Sequence, residues 1–394
     1  MEKKQRILLV HNYYKIPGGE DTVVANEKKL LEDHGHEVFL YSRSNTEMES
    51  FSIVQKLLLP FTSLFSLRTF CEVKKEIRLH KIDIVHVHNT LSLISPSVYY
   101  AAFVCGKPVV QTVHNFRLLC PAATFLREGK ICEECVEKGL GCAVRYGCYR
   151  GSRLQTLVSA SILKLHRILG TYRRLYYICL TDFNRNKLLL LNKKGKEYIK
   201  ESRVFVKPNF AQTPPKLEVE KKGQYIFSGR LDNLKGIRVL LEAWEAFSDK
   251  TLVLCGSGPE EEWIRSQLKM QGMSQVHLLG QVSHEKMLEL MAESHALILP
   301  TCWYEGQPMV IAESYSVGTP VIVSDIGNAG SMVEEGKTGL KFRCGSAQAL
   351  REAVCQMEKK TEWETGDIFA ERYSAEKNYE LLQKIYSSVE RGDR

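Results

Sequence analysis

No apolar run in this chain reaches the length of a membrane span, so no transmembrane segment is expected. No low-complexity segment appears either. No apolar leader precedes the first strand, because Met1-Glu2-Lys3-Lys4-Gln5-Arg6 runs straight into it. That predicts a cytoplasmic protein, at most peripheral on the inner face of the cell membrane. In that reducing setting the twelve Cys are not expected to form disulfides by default. The second half has no Asp-x-Asp pair at a strand end, and between Ala143 and Leu180 there is no acid at all. What remains is ordinary for a globular protein: 44% hydrophobic and 25% charged residues. The net charge of +8 is mild, and no nucleic-acid partner is expected. A length of 394 residues suggests two domains.

Short apolar runs separated by helix-compatible segments predict a parallel sheet covered on both faces. In the first half the runs are Ile7–His11, Val38–Leu40, Ile82–His88, Val109–His114, Tyr177–Leu180 and Val204–Val206. In the second half they are Tyr225–Ser228, Leu252–Cys255, Val276–Leu279, Ala296–Leu299 and Val321–Val323. Lys207-Pro208-Asn209-Phe210 and the stretch to Gly223 read as a linker. The expected architecture is α/β, two doubly wound Rossmann-like domains facing a cleft. Residues 1–207 form one domain, with a Cys-rich loop at 120–148. A linker covers 208–222, a second domain covers 223–374, and residues 375–394 form a closing helix. Ligands of such sheets bind at strand C-termini.

The segment Glu305-Gly306-Gln307-Pro308-Met309-Val310-Ile311-Ala312-Glu313 follows one of these strands. Pro308 suits a first helical turn, so Glu305 lies in the loop and Glu313 about two turns along the helix. A helix N-terminus attracts phosphate, while the two acids suit sugar hydroxyls. A nucleotide-sugar carries both groups. Arg230 and Lys235 follow the first strand of this half, and a guanidinium plus an ammonium neutralise a diphosphate well. Gly256-Ser257-Gly258 ends the next strand; alone it marks only a tight turn.

Taken in order, Gly229-Arg230…Lys235-Gly236, Gly256-Ser257-Gly258-Pro259, Leu279-Gly280-Gln281-Val282, Glu305-x7-Glu313, Gly318-Thr319-Pro320 and Gly336-Lys337-Thr338-Gly339 resemble the retaining glycosyltransferases of the family-4 type, with the GT-B fold. Pro17-Gly18-Gly19-Glu20, Val85-His86-Val87-His88-Asn89, Thr112-Val113-His114-Asn115 and the closing Glu371-Arg372-Tyr373-Ser374 are similar to that family as well. The resemblance implies a hexose-type transfer from a nucleoside-diphosphate-sugar, UDP- or GDP-linked, to a glycan or polyprenyl-linked acceptor in cell-envelope polysaccharide synthesis. It implies that residues 1–207 are the acceptor side, that 223–374 bind the donor, that helix 375–394 crosses back to the first domain, and that His114, Arg230, Lys235 and Glu305 have catalytic roles. Arg230 and Lys235 would hold the leaving diphosphate, with no metal or other cofactor in the chemistry. Glu305 would orient sugar hydroxyls, and His114 would donate a hydrogen bond near the sugar's reactive centre. Gly18, Gly19, Gly256, Val282, Gln307, Pro308 and Met309 would line the donor site, with Glu313 on the ribose. One departure stands out: Gly327-Asn328-Ala329-Gly330-Ser331 lacks the acid that the family usually carries there. A nucleotide-sugar epimerase and a silent nucleotide-sugar-binding protein are the alternatives.

Two features concern the acceptor side. Arg145, Arg150, Arg153, Lys164, Arg167, Arg173 and Arg174 interleave with Leu and Ile at helical spacing, and Ile53–Phe61 is strongly apolar. Both segments predict contact with an anionic membrane surface, the competing reading being core helices with a solvated basic face. The Cys132-Glu133-Glu134-Cys135 pair has the spacing of half a structural zinc site. A subset of relatives looks similar around it, which implies Cys120, Cys132, Cys135 and Cys148 as ligands, with Cys142 spare. Buried free thiols and a redox disulfide remain the alternatives. His86 and His88 face one side of a strand without an evident third metal ligand, so a packing or acceptor-positioning role is expected.

Overall fold

The computed structural model describes residues 4–15, 18–193, 195–214 and 219–392. The chain divides into two compact units. One takes in the chain up to Arg127, then Cys132–Lys207 and the chain from Tyr379 onward; the other takes in Glu128–Ile131 and Pro208–Asn378.

In the first unit six strands pair in parallel: β1 (Arg6–Tyr13), β2 (Glu37–Ser44), β3 (Ile84–Asn89), β4 (Val109–Val113), β5 (Tyr176–Cys179) and β6 (Val204–Val206). Their order is β2-β1-β3-β4-β5-β6. Every residue of β3 and β4 is buried, as expected of strands covered on both faces. The order doubles back between β1 and β3, which places a crevice outside their C-terminal ends. Three helices of this unit are α1 (Gly19–Asp33), α2 (Ile53–Leu64) and α3 (Arg153–Ile168). Helix α1 buries Val23, Val24, Glu27, Leu30 and Leu31. That is an ordinary i, i+3, i+4 stripe with one carboxylate set into it.

The second unit repeats the plan with β7 (Gln224–Ser228), β8 (Leu252–Cys255), β9 (Val276–Gly280), β10 (Ser294–Leu299), β11 (Val321–Ser324) and β12 (Gly339–Phe342). Their order, β9-β8-β7-β10-β11-β12, doubles back between β7 and β10. Alternate side chains of β7 enter different cores. Tyr225 and Phe227 pack with Trp244 on one face, and Ile226 packs with Tyr315 on the other. Helices α4 (His284–Glu293) and α5 (Met309–Ser316) lie in this unit. The closing helix, α6 (Ala375–Gly392), gives its residues from Tyr379 onward to the first unit. There Tyr379 Oη meets His36 Nε2 at 3.0 Å and Tyr386 Oη meets His86 Nδ1 at 2.8 Å.

The structure adds one strand to the sequence reading and defines two of its segments more closely. Strand β12 was not expected: Gly-Leu-Lys-Phe is short, half-polar and at a sheet edge. At the two ends of the stretch read as a linker, of which residues 215–218 lie outside the described residues, Ala211 N–H donates to Tyr373 O at 3.0 Å and Lys222 N–H to Glu293 O at 2.8 Å. Finally, α2 and α3 are not simple core helices with solvated basic faces. Helix α2 exposes Ile53, Val54, Leu57, Leu58 and Phe61, and α3 exposes Leu154, Leu157, Leu165 and Ile168. Among the described residues no helix is long and apolar enough to cross a membrane.

Candidate active site

In the second unit the two loops at the switch point are bound to each other. Gly236 has φ +75°, and a Cβ on it would lie 1.8 Å from the Pro300 carbonyl oxygen, so only glycine allows this approach. Cys302 N–H donates to Leu234 O at 2.8 Å. The loop after β7 is thereby fixed against the loop after β10, and Lys235 Nζ reaches Glu305 Oε2 at 2.5 Å. Glu305 is buried, and its other oxygen, Oε1, has no hydrogen-bond partner. A buried unpaired carboxylate oxygen is costly and marks a place for a hydroxyl donor. Asn328 braces the same loop by donating its amide to the carbonyls of Glu305 and Gly306. The Gly327–Ser331 segment, which lacks the expected acid, thus holds Glu305 in place from behind.

The other residues expected here divide by what they touch. Arg230 is exposed and pairs with Asp232 at 3.2 Å. Gly256 has φ +135° and stands where a Cβ would meet Gly229 O at 1.9 Å, so strand-end packing alone requires it. Val282 and Met309 are partly buried against the core that contains Ile311 and Tyr315. Pro308 caps α5 from outside the helix and is not its first residue. Gln307 is buried, and its amide is spent on the backbone of Asn209, accepting from N–H at 2.8 Å and donating to O at 3.1 Å. Glu313 meets His284 Nε2 at 3.2 Å, and this hydrogen bond raises the His284 pKa. His284 was not anticipated; a polar side chain one position past an N-cap Ser offers no sequence signal of such a partner.

In the first unit His114 follows β4. Its Nε2 lies 2.9 Å from His88 Nδ1. His88 Nε2 and His86 Nδ1 face Glu27 Oε1 at 3.2 and 3.0 Å, and Lys207 Nζ lies 3.0 Å from Glu27 Oε2. So a third group does stand beside His86 and His88, contrary to the sequence reading, and their ligand atoms fall within 4.8 Å of one another. The buried Lys207 ammonium already supplies the cation, which makes this an ion-pair network. Burial pushes Glu27 up, but Lys207 and then His86 outweigh it and hold the carboxyl well below its ordinary range. Burial, then the neighbouring His86, pushes His88 down to about 4. Burial likewise holds His114 well below its ordinary value. A proton on His88 Nε2, beside the carboxylate, leaves Nδ1 to accept from His114 Nε2–H, and in that tautomer His114 Nδ1 carries a lone pair.

Near the end of β1, Gly18 and Gly19 are exposed, and a Cβ on either would meet nothing within 4 Å. Their conformation does not demand glycine; they leave room. Gly18 N–H donates to Asp21 Oδ2 at 2.8 Å, and Asp21 Oδ1 meets the buried His11 Nε2 at 2.7 Å. Burial raises the Glu20 carboxyl to about 8, against the opposing Tyr14 hydrogen bond.

All twelve Cys are free. Cys120 is buried. A hydrogen bond from Cys135, with further backbone N–H groups at Phe125, Ala122 and Ala123, lowers its thiol to about 6. Cys148 lies within electrostatic range of Cys120 and Cys132. Among the described residues no three of these sulfurs fall within 4.8 Å of one another.

Residues 209–372 match the family described as Glycosyl transferases group 1, and residues 17–131 match Glycosyltransferase Family 4. The D-rhamnosyltransferase WbpZ of Pseudomonas aeruginosa is 30% identical over 33% of this chain and 34% of its own length. The phosphatidyl-myo-inositol mannosyltransferase of Mycobacterium leprae is 30% identical over 38% of this chain and 39% of its own. These matches thus span little more than a third of each relative. The crystal structure of HepE from Anabaena in complex with UDP has a TM-score of 0.66 at 17% identity, covering 97% of this chain and all of that one. With two parallel six-stranded sheets, both family segments and a GT-B neighbour along its whole length, the chain belongs to the group 1, family-4 glycosyltransferases.

Proposed function

We propose that the protein is a retaining glycosyltransferase that moves a hexose-type sugar from a nucleoside-diphosphate-sugar to a glycan or lipid-linked acceptor of the cell envelope. The observation that carries this is the buried Glu305, one oxygen on Lys235 and the other without a partner. A donor sugar's hydroxyl completes that oxygen, and the donor diphosphate draws on Lys235, Arg230 and the N-terminus of α5 as it leaves. The leaving phosphate takes the acceptor's proton in a front-face displacement. In the first unit, His114, backed by His88 and Glu27, is the group we propose to hydrogen-bond substrate there. One relative is named for a phosphatidyl-inositol, which supports a lipid acceptor, and both relatives are named for the transfer of a hexose-type sugar. The UDP-bound neighbours favour UDP as the carrier.

A panel of nucleotide-sugars, read by nucleoside diphosphate release, tests this. Release with one or a few donors supports transfer. Conversion of the sugar without release identifies the epimerase, and binding without turnover identifies the silent module. Activity should persist in EDTA, because the charges placed on the diphosphate belong to the protein; loss restored by magnesium would refute that.

We also propose a structural zinc at Cys120, Cys132, Cys135 and Cys148. Four thiols fit zinc by chemistry, and N–H groups around Cys120 favour its thiolate. Their spacing means that the loop must draw in to bind the ion. Elemental analysis of protein purified without chelator should give about one zinc per chain. A value near zero, with unchanged melting of Cys132→Ser, ends the idea.

A further inference from the structure

The crevice under His114 does not end at the sheet. A small cavity of about 70 Å³ is lined by His88, His114, Arg117, Leu91 and Ile162, among others. A larger one, about 320 Å³, opens between α2 and α3 and is lined by Leu59, Pro60, Val158, Lys56 and Arg150, and again by Leu91 and Ile162. The shared Leu91 and Ile162 make the two cavities neighbours across one wall of side chains. Tyr149 lies at the same junction, with the guanidinium of Arg117 and that of Arg150 each 5.3 Å from its ring centre. No Asp or Glu lines either cavity. Beyond the larger one, α2 carries its exposed ridge of Ile53, Leu57 and Phe61 outward.

This sequence of surfaces has a direction. The imidazole of His114 comes first, then three cations at Arg117, Arg150 and Lys56, then an apolar cleft, and then an exposed apolar helix. A ligand complementary to it has a hydroxyl-bearing end, a phosphate or diphosphate, and a hydrocarbon chain, in that order. We propose that this cleft is the acceptor subsite for a lipid phosphate. The phosphate is held by Lys56, Arg150 and Arg117, the first segment of the chain lies between α2 and α3, and the rest follows the α2 ridge into a bilayer. The charge pattern favours a phosphate-bearing lipid over a neutral glycan, because Arg117, Arg150 and Lys56 stand along the two cavities and no Asp or Glu lines either of them. The apolar lining selects it over a free phosphate.

The assignment rests on the lipid-linked branch of the proposed function, and the test separates the two. Calorimetry on the full chain, with geranylgeranyl monophosphate as probe, should give binding at least tenfold tighter than geranylgeraniol or inorganic pyrophosphate. Lys56→Glu and Arg150→Glu, both surface changes that should not affect folding, should each weaken it at least tenfold. Val158→Asp should do the same through the chain, with an unchanged melting temperature as its control. Pyrophosphate binding as tightly as the lipid overturns the proposal, as does unchanged lipid binding in the charge variants. Nucleoside diphosphate release from a donor sugar in water, measured alongside, reports on the transferase reading independently. Release without lipid binding overturns this subsite alone, and lipid binding without any donor turnover overturns the transferase reading while leaving the subsite.

Discussion

Glu305 and Lys235 test the proposed mechanism most directly, because they pair with each other in this structure and the mechanism assigns both to the donor. Lys235→Ala strips the charge from the leaving diphosphate and leaves a buried carboxylate with neither oxygen paired. We expect turnover to fall at least a hundredfold, in line with roughly 3–4 kcal/mol for a lost transition-state donor. Arg230 is exposed and must leave Asp232 to reach a phosphate, so Arg230→Ala should cost less, at least tenfold. Steady-state rates with the donor found by the nucleotide-sugar panel check both, and near wild-type values in both would sink the phosphate assignment. Glu20 offers a test in pH. Its folded value, about 8, lies above the ordinary carboxyl value of 4.5. The native state therefore holds a proton that the unfolded chain has lost, and stability falls as pH rises between those values. Melting temperatures should decline from pH 6.5 to 8, above the range in which His88 adds the opposite slope, and Glu20→Gln should flatten the decline. Glu305, Lys235 and His114 were legible in the sequence because their loops follow recognisable strands. Glu27 was not: it lies within a helix stripe of Val23, Val24, Leu30 and Leu31, and only the fold shows that Lys207, 180 positions later, answers it.

At the scale of elements, that same network joins α1, β3, the residue after β6 and α6. Lys207 and Glu27 are both almost wholly buried, so removing one leaves an uncompensated charge. Lys207→Met should destabilise the first unit by about 3–5 kcal/mol; denaturant unfolding measures it, and a change within about 1 kcal/mol would mean that the carboxylate has simply taken a proton. The network also predicts acid sensitivity. His88 is neutral in the fold down to about pH 4, while an unfolded His takes its proton near 6.5. Stability is therefore lost as pH falls from 6.5 toward 4, and the depressed Glu27 carries the loss further below the ordinary carboxyl value. The strands that form this scaffold were legible where they are central and apolar throughout, as in β3, β4 and β10. The edge strand β12 was hidden because Lys341 interrupts it and only one neighbour, β11, supplies its partners.

For the whole molecule, the distribution of charge and apolar surface says more than the net charge of +8. Seven cations and no acid occupy residues 143–180, and the helices on that side expose residues such as Ile53, Leu57, Phe61 and Ile168. Sequence periodicity predicted amphipathic helices but could not say which side faces solvent. The structure turns some apolar side chains outward on both α2 and α3, while α3 buries Ala160, Ile162 and Leu163 together with Thr156, Ser159 and His166. An exposed apolar ridge beside fixed cations fits an anionic bilayer, where apolar insertion and attraction to charged headgroups add. The two contributions respond differently to salt, since only the second is screened. Co-sedimentation with phosphatidylglycerol vesicles should therefore fall as NaCl rises from about 0.05 to 0.5 M, a range over which the screening length shrinks several-fold. It should retain a residue at the upper end that the paired change Leu57→Ser with Phe61→Ser removes. Equal binding to neutral phosphatidylcholine vesicles, or no loss in the paired variant, would show that this face does not meet an anionic membrane.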